Sequence, residues 1–185
     1  MAGARWMSEE LGSAIGWLDR SVQISPDLVH GHYLISLIKA LRGKSLIFSE
    51  GNGIAMALSP LDPFHYAMLG VQTSSWCNDG DYEKAGHWGQ KGAQAPGAAC
   101  LMGLVAAMSL NHSGRTEKAR YRTDNARARR PDVTTAGFFA ADPFEDDQMR
   151  ERITGSVIDS GFDAWDVLSR TQNSKLRLGH LRGRR

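Results

Sequence analysis

The chain is predicted to be all-α: an array of antiparallel helix hairpins closed by a C-terminal capping helix. Two observations carry this expectation. First, Pro26, Pro60, Pro96 and Pro131 each end a run of helix-forming residues, at separations of 34, 36 and 35 residues. Proline removes a backbone donor, clashes with the preceding turn, and pushes the residue before it out of helical geometry. Second, a glycine stands about 17 residues before each of the last three prolines, at Gly43, Gly80 and Gly114. Two of these glycines open similar phrases, GDYEKA (80–85) and GRTEKA (114–119). A fixed period in the mid-thirties with two helical runs per period is the pattern of a stacked hairpin array.

The elements follow in order. A helix over 8–25 stops before Pro26. The next, over 28–42, carries Leu34, Ile35, Leu37, Ile38 and Leu41, a stripe wide enough for burial on both sides. A third, over 45–58, ends at Ser59-Pro60 and contains Gly51 and Gly53, each costing about 1 kcal/mol relative to alanine. Asp62 as N-cap and Pro63 at the first helical position open the fourth, over 63–78. Helices over 81–94, 97–112 and 115–130 then alternate with the remaining glycines and prolines. After Pro131 the pattern weakens, with a helix over 133–140 and a last one over 144–160. For this last helix Asp142 is the expected cap and Pro143 the first position, with acids in the first turn where the helix dipole favours them. Ile153, Val157 and Ile158 are expected to seal the exposed face of the array. The segment 162–168 suggests a short helix, and residues 163–185 as a whole end in a basic tail.

These residues resemble the tetratricopeptide (TPR) family, whose repeat has 34 positions. Gly114, Thr116, Ala119, Thr123, Ala126 and Pro131 stand at the family's spacing. Gly70 matches its small position in the first helix, and Ala85 and Ala119 its small position in the second, where paired helices cross at roughly 8–10 Å. ALSPLDPF (57–64) and GDYEKAGHWGQKGAQAPG (80–97) look, more narrowly, like TPR-type modules of multidomain bacterial signalling proteins. There the module follows a class III nucleotide cyclase or a winged-helix regulator domain. The resemblance implies a right-handed superhelical array, a TPR-like α-solenoid, over residues 1–162. It would comprise a half repeat at 8–26, repeats at about 27–60, 61–96 and 97–131, and a cap at 132–162. Three features depart from the family pattern. Phe48 stands where the family prefers alanine, extra residues between Leu69 and Gly80 imply a longer first helix, and the chain opens on half a repeat. The last feature suggests a piece of a longer protein.

At 185 residues, 42% hydrophobic and 23% charged, the chain has the composition of a folded domain. Its longest apolar run, AACLMGLVAAMSL (98–110), is too short to span a bilayer, and the N-terminus lacks a signal-peptide core. Cys77 and Cys100 fit no metal spacing and imply no disulfide framework. The expected setting is cytoplasmic. Net charge is +2 but clustered: residues 115–130 stand at +5, 132–168 at −7, and 170–185 carry six basic residues and no acids.

No constellation of catalytic residues emerges. GNG at 51–53 lacks the third glycine of a dinucleotide loop and the Lys-Ser/Thr of a P-loop. His30 and His32, two apart, point to different helix faces and do not share a metal easily. Asp79-Gly80-Asp81 resembles a calcium loop, but position 90 is Gln rather than Glu, so a turn is the better reading. Glu145, Asp146 and Asp147 read as helix-start acids rather than a cation site. No G-x-S-x-G or Cys-His signature stands out. The expectation is a noncatalytic chain without metal or cofactor.

Binding is the better-supported class. Transfer of the TPR pattern directs His30, Tyr33, Leu37 and Ala40 of one hairpin, and Phe64, Ala67, Val71 and Ser74 of the next, towards a concave groove, joined by Leu104 and Met108. Such a groove is apolar. Tyr33 and Leu37 replace side chains with which chaperone-binding TPR domains clamp a terminal carboxylate. The implied ligand is an amphipathic helix or apolar extended segment of a protein or peptide, including an upstream catalytic or DNA-binding domain of the same protein. The competing expectation is nucleic-acid binding through the basic helix 115–130 and the tail. It is disfavoured because those residues lie on an outer helix.

Overall fold

Glycine and proline set the helix limits, and packing sets the rest. The structure is a computed structural model and describes residues 2–43, 50–132, 134–141 and 144–161. Phe48, Asp142, Pro143, the segment 162–168 and the basic tail lie outside the described residues. Helices α1 (Ala2–Ile24), α2 (Val29–Leu41), α3 (Glu50–Leu58), α4 (His65–Asn78) and α5 (Tyr82–Gln94) are followed by α6 (Leu101–His112), α7 (Thr116–Arg129), α8 (Thr135–Ala141) and α9 (Asp147–Asp159). Among the described residues there is no strand. From α1 to α7 each helix packs on the next, and α2 with α4 and α4 with α6 also touch.

The glycines at the mid-period positions have one conformation in common. Gly43, Gly80 and Gly114 have φ of 70°, 77° and 76°, the left-handed region that only glycine enters freely. At Gly80 the chain turns with Gly80 N–H donating to Cys77 O and Asp81 N–H to Trp76 O. Asp81 then caps α5 by accepting from Lys84 N–H at 3.1 Å. At the start of α4 the structure differs from expectation. Asp62 Oδ1 accepts from Phe64 N–H at 2.8 Å and closes a turn, and the helix begins only at His65. Nor is α4 longer by a turn: it has 14 residues against 13 in α2.

Close approach explains other glycines. A Cβ on Gly51 would lie 3.0 Å from Ser36 Oγ and 3.4 Å from His32 O, so this residue lets α3 sit against α2. One face of α5 carries Gly86, Gly89 and Gly92, all buried. A Cβ on Gly89 would meet Ala106 Cα at 3.1 Å, and one on Gly92 would meet Met102 Cε at 2.7 Å. At the α6–α7 crossing Ala119, Thr123 and Ala126 are fully buried, and a Cβ on Gly103 would sit 3.3 Å from Ala126 Cβ.

The core centres on α6, in which Met102 and every residue from Leu104 to Leu110 are buried. A helix apolar on all sides needs cover on all sides. The sequence directs Ile153, Val157 and Ile158 of the last helix to seal an exposed face; Ile153 and Val157 are buried, with α6 as the main neighbour of α9, while Ile158 is 37% exposed. The outer face of α7 presents Glu117, Lys118, Arg120 and Asp124 to solvent. Asp146 caps α9, accepting from Gln148 and Met149 N–H at 2.8 and 3.1 Å.

Candidate interaction surface

The ten residues expected to line one groove fall into two groups. At the start of α2 and α4, His30 and Phe64 are exposed, and Tyr33 and Ala67 are half-buried. Phe64 meets His30 edge-on, ring centroids 5.9 Å apart and planes at 81°, and leans on Tyr66 at 6.4 Å. Half of Phe64 remains open to solvent, and Leu61, in the turn before it, is 94% exposed. Leu28, just before α2, and Leu34, one turn on from His30, are also exposed. The result is an aromatic and aliphatic patch with one imidazole.

The second group is inside the protein. Ala40, Val71, Ser74, Leu104 and Met108 are buried, and Leu37 is partly buried against the main core. Ala40 O accepts from Asn78 Nδ2 at 3.1 Å, a bond that ties α4 to α2. Leu104 and Met108 belong to one buried cluster with Leu41, Cys77 and the α9 residues Met149, Ile153 and Val157. What covers this part of the expected groove is the chain itself.

The attachments of α9 are specific. Glu145 N–H donates to Leu41 O at 2.9 Å, and Arg42 Nε donates to Glu145 Oε2 at 3.1 Å. Gly43 faces the Asp146 carboxyl so closely that a Cβ there would be 2.7 Å from Oδ2. Further along, Arg152 donates to the Tyr82 hydroxyl at 3.2 Å, and Tyr82 stacks on His112 at 4.6 Å. At the far end Arg127 donates to Gly161 O at 2.7 Å. Thus α9 runs from the end of α2, past the α4–α5 turn, to α7. Sequence spacing held no signal for this, because every contact joins residues far apart in the chain.

The basic helix α7 has most of its charge engaged. Arg115 pairs with Glu83, and Arg129 donates to Ala98 O at 2.7 Å. Arg130 makes two bonds to Asp132 at 2.8–2.9 Å, which hold that carboxyl down at about 2. Arg122 sits 5.6 Å from the exposed Tyr121 ring, and Lys118 and Arg120 face solvent.

Two other places bear on chemistry. A shallow depression of about 390 Å³ is lined by Phe139, Asp147, Arg150, Glu151 and Thr154. Its one cation, Arg150, lies over the Phe139 ring at 4.3 Å and donates to Phe144 O, so its charge is already committed. Among the described residues no three His, Cys, Asp or Glu side chains gather as metal ligands, and no helix is long and apolar enough to cross a membrane. Comparison with family models, curated proteins and solved structures finds no match for this chain.

Proposed function

We propose that the chain is a noncatalytic, TPR-like interaction module, regulatory or scaffolding in a bacterial signalling protein of the cytoplasm. On this reading its helix pairs form a right-handed superhelical array. It binds an amphipathic helix or apolar extended segment of a protein, its own upstream domain included. The observation that carries the reading is the exposed patch formed where α2 and α4 lie side by side. His30, Tyr33, Leu34 and Phe64 present apolar and aromatic surface there, with Leu61 in the turn before Phe64 and the carboxylate of Asp62 tied to Phe64 N–H between them. Aromatic anchors in such a setting are the usual centres of binding energy.

The test is to pan a library of displayed helical peptides on the full chain and on a His30→Glu, Phe64→Glu variant. Both positions are exposed, so the variant keeps the core intact. The expected ligands carry apolar anchors at helical spacing and lose about tenfold or more in affinity on the variant, the worth of one such anchor. Peptides that bind both proteins equally, or a failure to enrich any, would overturn the reading.

Tyr121 with Arg122, Lys118 and Arg120 favours a second reading, nucleic-acid binding on the outer face of α7. On α7 three cations and one ring support it, since the other basic residues of the helix are engaged within the fold, and the six basic residues of 170–185 would add to them.

A further inference from the structure

We propose that α9 and its leading turn (144–146) form a releasable strap. It acts as an internal ligand of the α2–α4–α6 face, and its release uncovers Leu104 and Met108 for a partner helix. Four observations carry this. The strap leaves the order in which helices α1 to α7 pack on one another and returns across α6 to the end of α2. It has the chemistry expected of a ligand for this face. Met149, Ile153 and Val157, at helical spacing, are buried on it, while Glu151 and Asp159 are exposed. It covers two of the residues that the hairpin pattern directs into the groove. And its leading end is held by a clamp that solvent reaches: Arg42 Nε donates one side-chain bond to Glu145, the two side chains being 33% and 25% exposed, and Glu145 N–H donates one backbone bond to Leu41 O. Glu145 Oε1, buried, has no partner in that clamp.

The strap therefore states what a competing partner looks like. It is a helix of about three to four turns with a carboxylate just before its first turn, to meet Arg42. Apolar residues at four-residue intervals follow, to meet Leu41, Leu104 and Met108. Tethering gives the strap a high effective concentration, so such a partner gains access only when the clamp is weakened. What takes the strap's place rests on the proposed function, whereas the release itself needs no partner and is measured without one.

Hydrogen exchange on the full chain tests the release. In the unmodified protein α9 amides should exchange about tenfold or more faster than those of α6, because a strap opens without global unfolding. Arg42→Glu or Glu145→Arg alone should speed α9 by about fivefold, the most expected of a partly exposed pair, while α6 amides stay unchanged. The double charge swap should restore the original rate. A second probe is a synthetic peptide of residues 144–161. It should bind the Glu145→Arg chain about fivefold more tightly than the unmodified one, since the peptide's own glutamate still meets Arg42. It should gain less on the Arg42→Glu chain. Equal exchange of α9 and α6 in the unmodified protein, or acceleration of all helices together in the single variants, would overturn the proposal, as would equal peptide affinity for all chains.

Discussion

Cys77 is fully enclosed in the main core, and burial pushes its thiol from an ordinary 9.0 up to about 12, against a smaller opposing pull from Arg152. The fold therefore favours the neutral thiol. Stability from this site is complete below about pH 9, where the unfolded thiol is also neutral, and is lost as pH climbs towards 12. A Cys77→Ala chain should accordingly lose less stability above pH 9 than the parent, the difference approaching roughly 1 kcal/mol per pH unit. Urea melts of both proteins from pH 8 to 10.5 measure it, and parallel pH profiles would show that the thiol ionises as freely in the fold as outside it. At the same scale, Gly80 and Asp81 were legible in the sequence as a turn, because a left-handed φ and a capping carboxylate are local requirements. Gly89 was not. Its reason is the Ala106 Cα that a Cβ would meet at 3.1 Å, and that atom belongs to another helix.

Helix–helix crossings decide how much a single element tolerates. Ala119 of α7 is fully buried against Ala107 and Leu110 of α6, so there is no space for a larger side chain. Ala119→Phe should overpack this crossing and cost about 1–3 kcal/mol, which calorimetry would register as several degrees of Tm at this chain length. An unchanged Tm would mean that α7 can rotate to expose position 119. Helix limits were largely legible, since Pro26, Pro60, Pro96 and Pro131 act through their own backbone. Several starts are exceptions: α1 begins at Ala2 rather than 8, α6 at Leu101 rather than 97, α9 at Asp147 rather than 144, and α4 at His65 rather than 63. Asp62 closes a turn on Phe64 and delays the helix to His65, a choice between two local hydrogen-bond patterns that the same residues permit. The direction of α9 was illegible for a different reason. Its amphipathic pattern identifies a helix with a face to bury but not the surface that receives it.

For the whole molecule, the distribution of charge weighs on the choice of partner. The block at 115–130 stands at +5, yet Arg115, Arg129 and Arg130 meet Glu83, Ala98 O and Asp132, and Arg127 meets Gly161 O. Few cations remain on that surface for phosphates. Binding of a short RNA or DNA through this face alone, measured on a chain that ends before the six basic residues of 170–185, should therefore be weak and show a shallow salt slope, of about two to three released counterions. Fluorescence anisotropy between about 50 and 300 mM salt measures it. A slope steep enough for six or more phosphate contacts would bring the nucleic-acid reading to the front. The exposed patch of His30, Leu61 and Phe64, by contrast, has no partner in the described fold that would explain an apolar surface of this kind.

The sequence by itself determined the all-helical class, the spacing of the helices and the residues that end them, because proline and glycine constrain their own dihedral angles whatever surrounds them. Ala119, Thr123 and Ala126 stand at the spacing of the resembled repeat, and the 3.6-residue period of a single helix puts them on one face, which the fold buries. Only the tertiary structure decided which part of the expected groove is open. Leu104 and Met108 are closed off and Phe64 is not, because α6 is apolar on every side and draws α9 across it, a non-local burial that no residue spacing encodes.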